Sequence, residues 1–235
     1  MTPSRLLLLS NSTNHGAGYL DHVAEEIRDF FGPLRRVLFV PFALQNQVAY
    51  YEKTRARLQA LGYEADRLPE DAAAPARVQD AEAVFIGGGN TFRLLSKLYQ
   101  TGVISSVRAR VQAGMPYMGS SAGTNVACPA IKTTNDMPIV YPPSFDALNL
   151  VPFNINPHYI DPDPNSTHQG ETRIQRIAEY HEENSHVVVG LREGAWLRIE
   201  GGRVRLQGAN GAKLFRPGER PYDVAPGEPL DFLLK

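Results

Sequence analysis

Ser121 has the setting for nucleophilic chemistry. It stands in Gly119-Ser120-Ser121-Ala122-Gly123, directly after the apolar run 116–118, and fits the G-x-S-x-G pattern of a nucleophile elbow. Such an elbow needs a tight strand-to-helix turn, with small neighbours that let a strained serine expose its hydroxyl. A helix expected over 122–127 would aim its first amides and positive dipole end at a developing oxyanion. The competing reading is a small-residue turn in which serine caps a helix. A second turn, Gly87-Gly88-Gly89-Asn90-Thr91, also follows an apolar run and precedes a helical pattern. It can form the other wall of an oxyanion hole, with the Gly88 or Gly89 amide facing that of Ala122. As a phosphate cradle it lacks both G-x-G-x-x-G and the P-loop lysine. As a plain turn, it uses Asn90 or Thr91 to cap the helix.

A serine nucleophile needs a base, and six histidines limit the choice. His15 and His22 fall in the first loop and first helix, and His181 and His186 flank a charged helix end. His158, in Asn156-Pro157-His158-Tyr159, closes the strand pattern 150–155. Strand carboxyl ends converge on one crevice in an open α/β sheet, so His158 can meet Ser121 there. His168 is a further loop candidate. Two acids compete to orient the imidazole: Asp136, in the polar and mobile loop 133–138, and Glu193, in Gly190-Leu191-Arg192-Glu193-Gly194. Arg173 could clamp a carboxylate bidentately. With Asn90 and His168 it makes up the candidate substrate contacts. Cys128, seven residues past Ser121, reads as a small core residue.

The elements that must position these groups alternate. Leu6–Leu9 and residues 37–42, 83–86, 116–118 and 150–155 read as strands, several without period-2 alternation, as in parallel sheets covered on both faces. Between them Leu20, Val23, Ile27 and Phe30, then Leu58 with Leu61, then Leu94, Leu95 and Leu98, then Val103, Val107 and Val111 fall at helical spacing. This predicts a doubly wound, mostly parallel α/β sheet. After a helix pattern at Ile174, Ile177 and Ala178, glycine-rich turns separate the short runs 187–189, 196–199, 204–206 and 214–215. These predict antiparallel hairpins closing the sheet edge. Residues 71–76 and 218–229 read as surface loops.

The 235 residues, 43% of them hydrophobic, suffice for one ordinary core over 1–235. Twenty-four basic against 25 acidic residues leave a net charge of −1, so no nucleic-acid or anionic-membrane partner is expected. One cysteine excludes a disulfide framework and a multi-cysteine zinc site. No apolar run nears the roughly 20 residues of a membrane span, and four leucines are too short for a signal segment. A soluble, cytoplasmic, single-domain protein is expected, with a homodimer left open.

The turn 87–92, the elbow 119–123, the loop 133–140, Asn156-Pro157-His158 and Gly170-Glu171-Thr172-Arg173, in this order, resemble the peptidase E family of S51 serine peptidases. The resemblance runs from Leu6 to about Trp196. It implies a fold related to class I glutamine amidotransferases, with serine in place of their cysteine. It also implies cofactor-free, metal-free hydrolysis of dipeptides that begin with aspartate. Carried over, Ser121 is the nucleophile, His158 the base, and Arg173 the grip on the aspartyl side chain. The family's acid has been assigned to both matching positions; Asp136 is preferred in a closed loop state, with Glu193 next. Ser120 departs from bulkier family residues and is expected to widen the pocket. Three other readings compete. An α/β-hydrolase esterase is disfavoured by the mere 37 positions between Ser121 and His158. A cyanophycinase-like relative would need an open groove, and a non-catalytic binding module would leave Ser121 unactivated.

Overall fold

The computed structural model describes residues 4–165, 167 and 170–235. Strand β1 (Leu6–Leu9) is four leucines without exposed surface. Successive side chains leave a strand on opposite faces. Leu6 and Leu8 accordingly join one buried cluster, and Leu7 and Leu9 another. Burial on both faces removes any need for polar alternation. Truncation of one such side chain, as in Leu8→Ala, costs about 2–5 kcal/mol.

Five parallel strands lie in the order β3 (Glu64–Arg67), β2 (Arg36–Val40), β4 (Val84–Ile86), β5 (Tyr117–Ser120), β1. The hairpin β8 (Ala195–Glu200) and β9 (Arg203–Gly208) extends this sheet antiparallel beyond β1, to seven strands. Helices α1 (Ala24–Phe31) and α2 (Gln47–Leu61) bury their apolar faces with Leu7 and Leu9. Helices α3 (Ala74–Gln79), α4 (Thr91–Gln100), α5 (Val103–Gln112) and α6 (Ala122–Asn125) pack with Leu6 and Leu8. A second sheet of four strands has the order β11 (Tyr222–Val224), β10 (Ala212–Phe215), β7 (Val188–Arg192), β6 (Asn154–Tyr159), with α7 (Arg173–Glu183) placing Ile177 against Tyr159 and Val188. Val189, Leu191 and Leu214 of this sheet share the buried cluster of Leu6 and Leu8, which joins the two sheets.

The α/β class and parallel sheet match the sequence reading, and the differences have physical causes. Of these runs β8 and β9 close the sheet edge; β7 pairs parallel with β6 and antiparallel with β10, and with β11 they form a second sheet that has β6 at its edge. The strand expected over 150–155 begins at Asn154 instead, because Val151 and Phe153 are buried as loop residues packed on the core. Strand β3 escaped notice because, as an edge strand, it carries Glu64, Asp66 and Arg67. Helix α3 forms inside the alanine-rich stretch read as a loop, with Pro75 in its first turn, where a missing N–H costs nothing. The tail read as a loop supplies β11. Helix α6 is four residues long rather than the six expected. Among the described residues no helix is long and apolar enough to cross a membrane.

Candidate active site

Ser121 follows β5 directly and precedes α6 with φ 53° and ψ −110°, a conformation costly for a residue with a Cβ. The turn closes this tightly because glycine lies beyond it: a Cβ on Gly123 would fall 2.0 Å from the Ile86 carbonyl oxygen. The Ser121 amide donates to the Leu9 carbonyl at 3.1 Å, fixing the elbow to the end of β1. The Ser121 hydroxyl makes no capping hydrogen bond. It lies 3.0 Å from His158 Nε2 instead, so the capping reading fails.

His158 emerges from an irregularity in β6. The pairing of β6 with β7 shifts register between Asn156 and Tyr159, where Pro157 has no N–H to give the ladder. His158 there takes φ 52°. A bulge of this kind re-aims a side chain. His158 Nδ1 lies 2.6 Å from Glu193 Oε1. A carboxylate can only accept, so Nδ1 carries the proton and Nε2 is free to accept from the Ser121 hydroxyl.

The end of β1 holds all three residues. The Leu9 carbonyl accepts from the Ser121 amide. Ser10, fully buried, accepts the His158 amide on its hydroxyl at 2.9 Å and donates to the Leu191 carbonyl at 2.8 Å. Asn11 Oδ1 accepts the Gly194 amide at 2.8 Å, directly after Glu193. Sequence reasoning missed Ser10 and Asn11. The signal was two polar residues directly after four leucines, at the carboxyl end of a central strand, where open α/β sheets place their ligands.

The sequence candidates fare differently. Gly88 backs Ser121, since a Cβ there would sit 3.0 Å from that of Ser121. Its amide, however, donates to the Tyr50 hydroxyl at 2.8 Å, which removes it from the oxyanion donors as they stand. The Gly89 and Ala122 amides have no acceptor among the described residues. Burial raises the Tyr50 phenol above its ordinary pKa against the lowering effect of hydrogen bonds from Tyr19 and the Gly88 amide, so the phenol stays neutral. Asp136 does not meet His158. Its Oδ2 accepts from the Thr91 amide at 2.7 Å, the Thr91 hydroxyl at 2.6 Å and the Thr134 hydroxyl at 3.3 Å.

The loop around Asp136, read as mobile, is also stitched to β6: Asn135 donates to the Pro157 carbonyl, and Asn156 to the Thr133 carbonyl and to Asn135. Asn90 caps α4 by accepting the Arg93 amide and donates to the Met137 carbonyl, so both ends of its side chain are engaged within the protein. Ser120 is buried and does not line the cavity, so its small size does not widen it. Cys128 is buried, its thiol pushed up to about 12 by desolvation, which keeps it an inert core residue. His168 lies outside the described residues.

Ser121 and His158 open onto a cavity of about 690 Å³ lined also by Asn11, Tyr19, Tyr50, Lys53, Gly89 and Asp136, within the roughly 300–1,000 Å³ range of small-molecule sites. Arg173 lines a different cavity of about 420 Å³ with Asp161, Asp163, Glu171 and Arg176. Burial and the neighbouring Arg176 lower its pKa. This structure does not bring Arg173 to the nucleophile. No group of three His, Cys, Asp or Glu among the described residues is placed to hold a metal ion.

The family model for peptidase family S51 matches residues 6–207. The chain belongs to peptidase family S51. Peptidase E of Streptomyces coelicolor is 53% identical, over 97% of this chain and 94% of that protein. A probable alpha-aspartyl dipeptidase of Drosophila melanogaster is 47% identical, over 98% and 97%. The crystal structure of a putative peptidase E from Listeria monocytogenes superposes with a TM-score of 0.68 at 26% identity, covering 89% of this chain and all of that one. A peptidase from an acI-B1 actinobacterium shares the fold, with a TM-score of 0.73 at 18% identity over 97% of this chain and 96% of that one. An S51 chain is a serine-type peptidase, and Ser121 is the serine here that stands against a histidine and an acid.

Proposed function

We propose that this S51 peptidase is an aspartyl dipeptidase that cleaves Asp-X through Ser121, His158 and Glu193 and an acyl-enzyme. The observation that carries the reading is the line from Glu193 through His158 to Ser121, with spacings of 2.6 and 3.0 Å. The relatives named peptidase E and probable alpha-aspartyl dipeptidase support the substrate class, and a cavity of about 690 Å³ has room for a small peptide.

Ser121 Oγ attacks the scissile carbonyl carbon as its proton passes to His158 Nε2, and Glu193 stabilises the imidazolium. The Gly89 and Ala122 amides take the oxyanion. Collapse of the tetrahedral species breaks the C–N bond, and His158 returns the proton to the leaving amine. Water then gives a proton to Nε2 and attacks the ester, releasing aspartate and restoring Ser121. Asp136 spends only Oδ2 on the protein. Asp136 lines the cavity, and its other oxygen is assigned to the peptide's α-ammonium.

Turnover of Asp-Leu, Asn-Leu, Glu-Leu and a longer Asp-initiated peptide tests the reading. Asp-Leu should be cleaved best, and Ser121→Ala should abolish cleavage with an unaltered circular dichroism spectrum. Persisting activity in that variant would refute the assignment.

A further inference from the structure

We propose that Lys53 binds the C-terminal carboxylate of the dipeptide, the free end of the residue that leaves. The proposal rests on the dipeptidase reading of the Ser121 site and adds a contact that reading does not include. Lys53 lines the cavity of Ser121 and His158, and among the described lining residues it is the one lysine or arginine. Other cations of α2 are paired: Arg55 lies 3.4 Å from Glu52, and Arg57 lies 2.9 Å from Asp21. Lys53 has no carboxylate within salt-bridge distance among the described residues. Its ammonium is held 4.5 Å from the centre of the Tyr19 ring. That cation–π contact orients the group while leaving its N–H donors for a ligand.

Position selects which carboxylate it takes. Tyr19 stands edge-on to Tyr50 at 6.5 Å, the Tyr50 hydroxyl meets the Gly88 amide at 2.8 Å, and Gly88 backs Ser121. These contacts run from the Lys53 ammonium through the Tyr19 and Tyr50 side chains to the turn behind Ser121. The aspartyl side-chain carboxylate hangs on the residue under attack. The C-terminal carboxylate lies across the scissile bond on the leaving residue, and each carboxylate carbon is three bonds from the scissile carbonyl carbon, so the two differ in side and not in reach. Lys53 lines the cavity and is itself exposed to solvent, which suits its flexible cation to the residue that departs into solvent rather than to the acyl residue held on Ser121. A longer peptide would present a neutral amide at the same place, so this contact also favours dipeptides over longer chains.

The test is the ratio of kcat/KM for Asp-Leu over that for its C-terminal amide, with Asn-Leu as a third substrate. Lys53→Met should lower the acid-to-amide ratio about tenfold, through KM rather than kcat, and Lys53→Arg should restore it. Lys53 is exposed, so folding is not at stake. An unaltered ratio in Lys53→Met overturns the proposal. So does a loss equal for acid and amide that disappears with Asn-Leu, which would assign Lys53 to the aspartyl side chain. An unmodified protein that cleaves no aspartyl peptide would instead refute the dipeptidase reading, and with it the ligand given to Lys53.

Discussion

The seven-stranded sheet presents Ser121 from a turn shaped by its immediate neighbours in sequence, whereas the four-stranded sheet presents His158 and Glu193 from a bulge and a strand end held by residues far along the chain. On the first side, Gly123 permits the close approach to β4 that strains Ser121. On the second, His158 is held through its amide by Ser10, 148 positions away, and Glu193 through Gly194 by Asn11. The nucleophile is thus a local structure and the base and acid a tertiary one. The end of β1 is where the two are joined.

Substitutions can break that comparison at different points, and the largest effect falls on the local side. Ser121→Ala should lower kcat for Asp-Leu by about 10⁴-fold or more with the melting temperature little altered. On the tertiary side, Glu193→Gln should lower kcat on the order of 10³-fold, because an amide cannot stabilise the imidazolium. Asp136→Asn should act mainly by raising KM. The reverse pattern in steady-state kinetics would move the acid to Asp136. The join is tested by Ser10→Ala, which takes the acceptor from the buried His158 amide and a donor from the Leu191 carbonyl, at a cost of about 1–3 kcal/mol. It should lower kcat about tenfold with KM held. Ser10→Thr, which keeps the hydroxyl, should recover most of the loss, and a variant altered only in melting temperature would make Ser10 purely structural.

The smallest effect concerns a residue outside the site. Among the described residues His22 finds no partner for either buried ring nitrogen, and its pKa is lowered, first by desolvation. Below pH about 6.5 the unfolded chain binds this proton more readily than the folded one, so stability is lost as the pH falls through that range. Urea midpoints should drop less between pH 7 and 5 in His22→Phe than in the unmodified protein.

The same contrast governs what the sequence discloses. Strand β1, the elbow and the turn 87–89 are legible because their cause is local: an apolar run, or glycines at fixed offsets. The position of β6 is not. Its polar Asn154 and Asn156 are buried through bonds to Ala130 and Thr133 that only the folded chain supplies. The choice between Glu193 and Asp136 likewise depends on which acid the two-sheet packing brings to Nδ1. Tyr50 and Lys53 look like any helix residues until α2 is seen to wall the cavity. Gly88 shows the limit of a motif: the glycine is where it should be, but a tyrosine has taken its amide.

His158 Nδ1 donates its hydrogen bond to Glu193 while Nε2 faces Ser121. Proton NMR of ¹⁵N-histidine-labelled protein reads this directly, because a strong Nδ1–H to carboxylate bond moves the proton far downfield. Such a resonance is expected on His158 Nδ1, lost in Glu193→Gln and kept in Asp136→Asn. A resonance that survives in Glu193→Gln and vanishes in Asp136→Asn would contradict it.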